Sequence, residues 1–154
     1  GVGASFAKAY ARALLGAGEV LPVAGGTVFI SVKDSDKEKI IEVAKNITAL
    51  GFKIVATRGT QKILNAAGIT ANAVNKVAEG RPNIVDLIKN DEVDLVINTT
   101  AGKKAVSDSY LIRRETIMNK VMYATTISGA KAISQALGAE NLNKVNKLQD
   151  LHME

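Results

Sequence analysis

Short apolar, β-branched runs alternate with longer segments of helical period along most of this 154-residue chain, and that alternation limits the folds open to it. Thr27–Val32, Lys53–Thr57 and Asp94–Asn98 read as strands, Ala73–Val77 as a short β-tending piece, and Val121–Thr125 as a fifth, short strand. Leu95, Val96 and Ile97 follow one another without polar alternation, the pattern of a strand buried on both faces. Between the runs the period changes. Ile40, Ile41, Val43, Ala44, Ile47 and Leu50 recur at helical spacing after Asp34-Ser35-Asp36, which offers caps and first-turn acids, and Gly51 ends the pattern. Further helices are expected over 61–67 with a stop at Gly68, over Ile84–Lys89 with Asn83 as cap, over Asp108–Asn119, and over Ser128–Leu137 with a stop at Gly138. Strands separated by helices of this length imply an α/β fold, a parallel sheet flanked on both sides by helices.

Two strand ends share a chemistry. The run from Lys53 ends in Thr57-Arg58-Gly59-Thr60 just where a helical pattern begins. A helix N-terminus there offers unpaired N–H donors and partial positive charge, Gly59 lets backbone approach a ligand, and Arg58 can add a full charge. The structural alternative is a plain strand-to-helix connection with Thr60 as its N-cap. The strand Asp94–Asn98 likewise runs into Asn98-Thr99-Thr100-Ala101-Gly102-Lys103-Lys104. Open α/β sheets hold ligands outside the carboxyl ends of their strands, so both turns are expected to floor one phosphate site. Thr57, Thr60, Thr99 and Thr100 would be its neutral donors, and Lys37, Arg58, Lys76, Lys103 and Lys104 its candidate cations. For each lysine the alternative is a solvated surface charge.

The net charge of +5 suits an anionic partner without choosing one. Nucleic acid is disfavoured, because three Phe and three Tyr are scattered rather than interleaved with a basic stripe. With no Cys, and with His152 as the single His, disulfides, thiol catalysis and a multi-His metal cage are excluded. No apolar run reaches membrane-spanning length and no signal-peptide pattern opens the chain, so a cytoplasmic location is expected. Little points to catalysis. Neither Gly102-Lys103 nor Gly129-Ala130-Lys131 has the upstream Gly of a P-loop, and Asp94 stands at the wrong end of its strand for a general base. Asp34 and Asp108 sit at helix starts, where a capping role competes. Gly1-Val2-Gly3-Ala4-Ser5-Phe6 is no dinucleotide fingerprint, since no strand precedes it. A binder is therefore expected rather than an enzyme. Ser5–Leu15 reads as an Ala-rich helix followed by a Gly- and Pro-containing linker, and residues after Gly138 as a packed terminal helix or a frayed tail.

The combination Ile30-Ser31-Val32-Lys33-Asp34 with Asp36-Lys37, Ala56-Thr57-Arg58-Gly59-Thr60, Val74-Asn75-Lys76-Val77 with Glu79-Gly80-Arg81-Pro82, Ile97-Asn98-Thr99-Thr100, Ile112-Arg113-Arg114 and Tyr123-Ala124-Thr125-Thr126 closely resembles one family. It is the carboxy-terminal allosteric domain of carbamoyl-phosphate synthase large subunits, and the match runs in order from about Thr27. The resemblance implies a methylglyoxal-synthase-like fold, a three-layer α/β/α arrangement with five parallel strands in the order 3-2-1-4-5. It implies three parts: residues 1–26 as the end of a preceding ATP-using domain and linker, 27–138 as the allosteric domain, and 139–154 as a tail or helix. By the same resemblance the domain binds UMP as an inhibitor, with IMP sharing the site. Lys37, Thr57, Gly59, Thr60 and Lys76 would hold the phosphate, and Asn98, Thr99 and Thr100 would line the rest of the pocket. Thr125 would contribute to the site of the activator ornithine, although relatives carry Asp where this chain has Ala124. No catalytic residue, metal or cofactor is implied for the domain itself. A parent chain would be an ATP-dependent, glutamine-hydrolysing ligase using Mg or Mn, partnered by a glutaminase subunit, self-associating, and serving pyrimidine and arginine biosynthesis. The alternative is a methylglyoxal synthase acting on dihydroxyacetone phosphate. Those enzymes carry a catalytic Asp in a Trp-Asp-Pro-Leu turn after the fourth strand, where this chain has Asn98-Thr99-Thr100.

Overall fold

Residues 21–103 and 109–139 are described in the computed structural model, and within them one sheet holds five strands in the order β3-β2-β1-β4-β5. The strands are β1 (Thr27–Ser31), β2 (Lys53–Ala56), β3 (Asn72–Ala73), β4 (Leu95–Asn98) and β5 (Met122–Ala124), and every pairing is parallel. This is the expected order. Registers Val28↔Ile54 and Val28↔Leu95 set β1 between its neighbours, and Val28, Phe29 and Ile30 are fully buried there.

Alternation along the strands divides the core in two. Val28, Ile30, Ile54, Leu95 and Ile97 face one side, where they meet Ile40, Val43, Ala44 and Ile47 of α1 (Ile40–Ala49), Leu64 of α2 (Arg58–Ala66), and Ala130, Ile133 and Leu137 of α5 (residues 127–139). Phe29 and Val96 face the other side, against Ile84, Val85 and Ile88 of α3 (Ile84–Lys89) and Ile112 of α4 (Tyr110–Met118). Helices therefore cover both faces.

Several local expectations change. Asp34–Asp36 forms a short 3₁₀ turn, α1 starts only at Ile40, and no side chain caps it. The β3 pairing ends at Ala73, and the chain then leaves the sheet through a bridge between Asn75 and Asn83. Gly51 and Gly68 follow α1 and α2 with φ of +92° and +83°, the left-handed geometry in which glycine is unstrained. Gly138 does not stop α5, which continues through Ala139. Leu137 and Ala139 are buried on either side of it, so packing outweighs the propensity cost of about 1 kcal/mol for a helical Gly. Leu21, assigned to a linker from sequence, is buried in the first core cluster. The expected helix at 5–15, most of the expected terminal tail, Lys104 and Asp108 lie outside the described residues.

Asp94 braces the amino edge of the sheet. Its carboxylate accepts from the Thr27 N–H at 2.8 Å, which confirms it at the end remote from any strand-end ligand. Asn83 caps α3 as expected, its Oδ1 accepting from the N–H groups of Val85 (2.9 Å) and Asp86 (3.3 Å). Asp86 returns the bond by accepting from the Asn83 N–H at 2.9 Å. The Arg81 guanidinium also pairs with Asp86, and that hydrogen bond, followed by the Asn83 one, holds the Asp86 carboxyl below the usual carboxylate range.

Two outcomes follow from this cap. Asn83→Ala should lower unfolding stability by about 1 kcal/mol in a urea titration, the usual loss for an N-cap. Because its folded pKa is depressed, Asp86 contributes stability fully above the unfolded value near 3.8 and loses it as pH falls through the lower, folded value. Asp86→Asn should therefore be less stable than the parent at neutral pH, with the gap closing below about pH 4, read by thermal melts across pH.

Candidate functional site

The order reversal at β1 leaves a crevice at the carboxyl ends of β1 and β4, and a cleft of about 610 Å³ opens there. Its floor comes from the last residue of β1, Ser31, and from both of the hydroxyl-bearing turns: Thr57 after β2, and Asn98, Thr99 and Thr100 at the end of β4. Lys33, Lys37 and Lys76 supply positive charge, and Asp34 is the one carboxylate among the described lining residues. Val32, Val77, Ala78, Leu111 and Ile112 add an apolar wall.

The threonines hold the loop after β1. Having left the ladder, the Val32 N–H donates to the Thr60 hydroxyl (3.2 Å) and the Lys33 N–H donates to the Thr99 hydroxyl (3.0 Å). The Thr57 hydroxyl donates to the Ser31 hydroxyl at 2.9 Å, and the Thr99 N–H donates to the Ser31 carbonyl at 3.0 Å. Thr57, not Thr60, is the N-cap residue of α2, and its side chain makes no capping bond. Thr60 lies one turn inside, buried, and is a brace behind the cleft rather than part of its lining. A hydroxyl that accepts one bond still carries a proton to donate, so Thr99, at the cleft surface, keeps a donor for a ligand.

Asn98 is buried, yet its Nδ2 has no hydrogen-bond partner among the described residues. An amide donor left so costs about 1–3 kcal/mol, and Asn98 lines the cleft. Lys37 extends from the turn before α1 across the start of α2. A Cβ on Gly59 would lie 3.5 Å from Lys37 Cε and 3.7 Å from its Nζ. Lys37 Nζ donates to Asp34 Oδ1 at 2.5 Å and to the Val32 carbonyl at 3.4 Å. The Lys37 ammonium holds the exposed Asp34 carboxyl below its ordinary pKa.

Of the residues expected from sequence, Lys37, Thr57, Lys76, Asn98, Thr99 and Thr100 come together in the cleft lining. Gly59 is exposed beside Lys37 and Thr60 is buried, and neither is part of the lining. Arg58 turns away, donating to Asn75 Oδ1 at 3.1 Å with Glu79 nearby at 3.9 Å, and Lys103 is exposed outside the lining. Thr125 is exposed just past β5, also outside this cleft. Sequence reading missed Ser31, Lys33, and the wall formed by Val77, Ala78 and the start of α4. Ser31 was findable as a hydroxyl at the carboxyl end of a strand. The wall had no such signal, because apolar residues in a helix read as core.

The family described as MGS-like domain matches residues 39–125. A carbamoyl phosphate synthase large chain from Pseudomonas putida is 53% identical over 152 residues, covering 99% of this chain and 14% of that protein. The counterpart from Halomonas eurihalina is 49% identical over 154 residues, again 14% of its length, and that from Mesorhizobium japonicum is 51% identical over 139 residues. This chain thus spans about one seventh of the length of these curated relatives. In three dimensions it resembles the crystal structure of methylglyoxal synthase from Elizabethkingia anophelis NUHP1, with a TM-score of 0.60, 16% identity, and coverage of 74% of this chain and 79% of that one. That likeness bears on the fold alone, and it agrees with the five-stranded parallel order found here. By family match, fold and the identity to these large chains, the protein belongs to the MGS-like domain family.

Proposed function

We propose that this chain is the allosteric domain of a carbamoyl-phosphate synthase large chain, and that its cleft senses a nucleoside monophosphate, UMP as inhibitor with IMP sharing the site. The observation that carries the reading is the cleft's composition: three ammonium groups, threonine hydroxyls and a buried amide donor with no partner among the described residues converge on one strand-end crevice. In this reading the phosphoryl group sits over the start of α2, where Gly59 leaves room beside Lys37, and Thr57 and Lys76 complete its shell while Thr60 braces the loop behind it. Asn98, Thr99 and Thr100 take the remaining polar atoms, while Val77, Leu111 and Ile112 receive the flat nucleoside.

Proton abstraction from a triose phosphate fits this cleft poorly. The β4 turn presents an amide at Asn98, and the lining carboxylate, Asp34, is a weakened base because Lys37 stabilises its charged form. Sensing needs no base. A nucleotide that binds one conformation of the whole synthase better than another shifts the population toward it, with no reaction in this domain. The parent would make carbamoyl phosphate from glutamine, bicarbonate and ATP with Mg or Mn, alongside a glutaminase subunit, and self-associate through this domain. Thr125 is proposed as this domain's contact to ornithine.

Titration calorimetry of the chain with UMP should show binding; Lys76→Ala should weaken it by about 1.5 to 3 kcal/mol, the range for a hydrogen bond to a charged group, and Thr60→Val should also weaken it, because it removes the acceptor that holds the Val32 N–H beside the cleft. Unchanged affinity in both variants would remove the site. Dihydroxyacetone phosphate incubated with the chain should release no inorganic phosphate, and release would favour the synthase of triose phosphate chemistry instead. Ornithine and IMP in the same titration series rank the effectors.

A further inference from the structure

The cleft carries its own counter-ion. Asp34 is 98% exposed at its side chain, yet it is bonded to Lys37, whose side chain is only 20% exposed. It caps no helix by its side chain, and among the described residues Lys37 is its partner. Asp34 and Lys37 both line the cleft, and Lys37 is the cation lying across the N-terminus of α2. A carboxylate is the wrong charge for an anion site, and here it occupies a donor that an anion needs. We propose that Asp34 is an internal competitor: it holds Lys37 in the ligand-free cleft, and a phosphoryl group binds by taking Lys37 over from it.

The inference rests on the anion-binding reading of the cleft and adds the residue that restrains its affinity. The swap is inexpensive in either direction. An exposed ion pair contributes little in water, so Asp34 returns to solvent at small cost while Lys37 moves onto a more highly charged partner. The remaining bond of Lys37, to the Val32 carbonyl, keeps the ammonium over the cleft during the exchange. Asp34 thereby lowers the affinity of every anion that takes over Lys37 by the cost of breaking the pair.

The test uses inorganic phosphate and UMP as probes against the chain at low salt. Asp34→Asn should tighten both by about two- to fivefold, the span of an exposed ion pair. Glu38→Gln removes the same charge from an exposed position outside the lining, and it should leave both affinities within about twofold. In a Lys37→Ala background the Asp34→Asn gain should vanish. Equal or weaker binding by Asp34→Asn, an equal gain from Glu38→Gln, or a gain that survives Lys37→Ala would each overturn the inference. Parent protein that binds neither probe would overturn the anion-site reading itself, and the two failures are told apart by the parent titration alone.

Discussion

Parallel pairing on both edges of β1 is the constraint from which the rest of the molecule follows. Val28, Phe29 and Ile30 are buried completely, so their backbone groups must find partners within the sheet, and β2 and β4 supply them from opposite sides. Parallel neighbours cannot be joined by a tight turn. Each needs a crossover, and right-handed crossovers leading away from β1 in opposite directions send their helices to opposite faces. That is why α1 and α2 cover one face and α3 and α4 the other. It also leaves a gap at the carboxyl ends of β1 and β4, where the crossovers diverge. The cleft is thus a consequence of the topology, before any residue in it is chosen.

What the residues add is a way to end β1 inside that gap. The N–H groups of Val32 and Lys33 have left the ladder, and each would cost about 1–3 kcal/mol if buried without a partner. Thr60 and Thr99, from the starts of two different connections, accept them. A threonine suits this work better than a serine because its branched Cβ restricts the rotamer, so the oxygen stays aimed. Having accepted, the Thr99 oxygen still has a proton for a ligand. The same hydroxyl therefore orders the turn that carries Lys33, Asp34 and Lys37 and belongs to the surface that the turn completes. Structural and binding roles are not alternatives at this position.

This doubling explains what was legible in the sequence. A parallel sheet with helices on both faces was readable, because Leu95-Val96-Ile97 and the spacing from Ile40 to Leu50 encode burial directly, whereas the strand order came from the family resemblance. The polar floor was readable too, because Thr and Asn at strand ends serve no apolar core. The start of α1 was misread: Asp34-Ser35-Asp36 has the composition of a cap, but composition does not reveal that Asp34 has Lys37 within reach and makes no cap. Arg58 was weighed as a ligand cation because it sits in the right turn, whereas its side chain finds Asn75 and Glu79 from a loop distant in sequence. Such pairings depend on where the chain returns after Ala73, and no local period carries that information. Gly138 shows the converse, since a local stop signal yields to the burial of Leu137 and Ala139.

The chemistry of the floor also separates this cleft from reactive sites that share its architecture, because a fold of this kind fixes where a ligand lies and not what happens to it. Amide, hydroxyl and ammonium groups can each hold an oxyanion near neutral pH, and none of them readily removes a proton from carbon there. Asp34 is the one lining carboxylate among the described residues, and its bond to Lys37 favours the ionised form while lowering its basicity. A group stabilised in that way is a poor base and an effective counter-ion. The feature that disqualifies Asp34 from abstracting a proton is therefore the feature that lets it compete for the lysine, and both follow from the placement of residue 34 one 3₁₀ turn before residue 37.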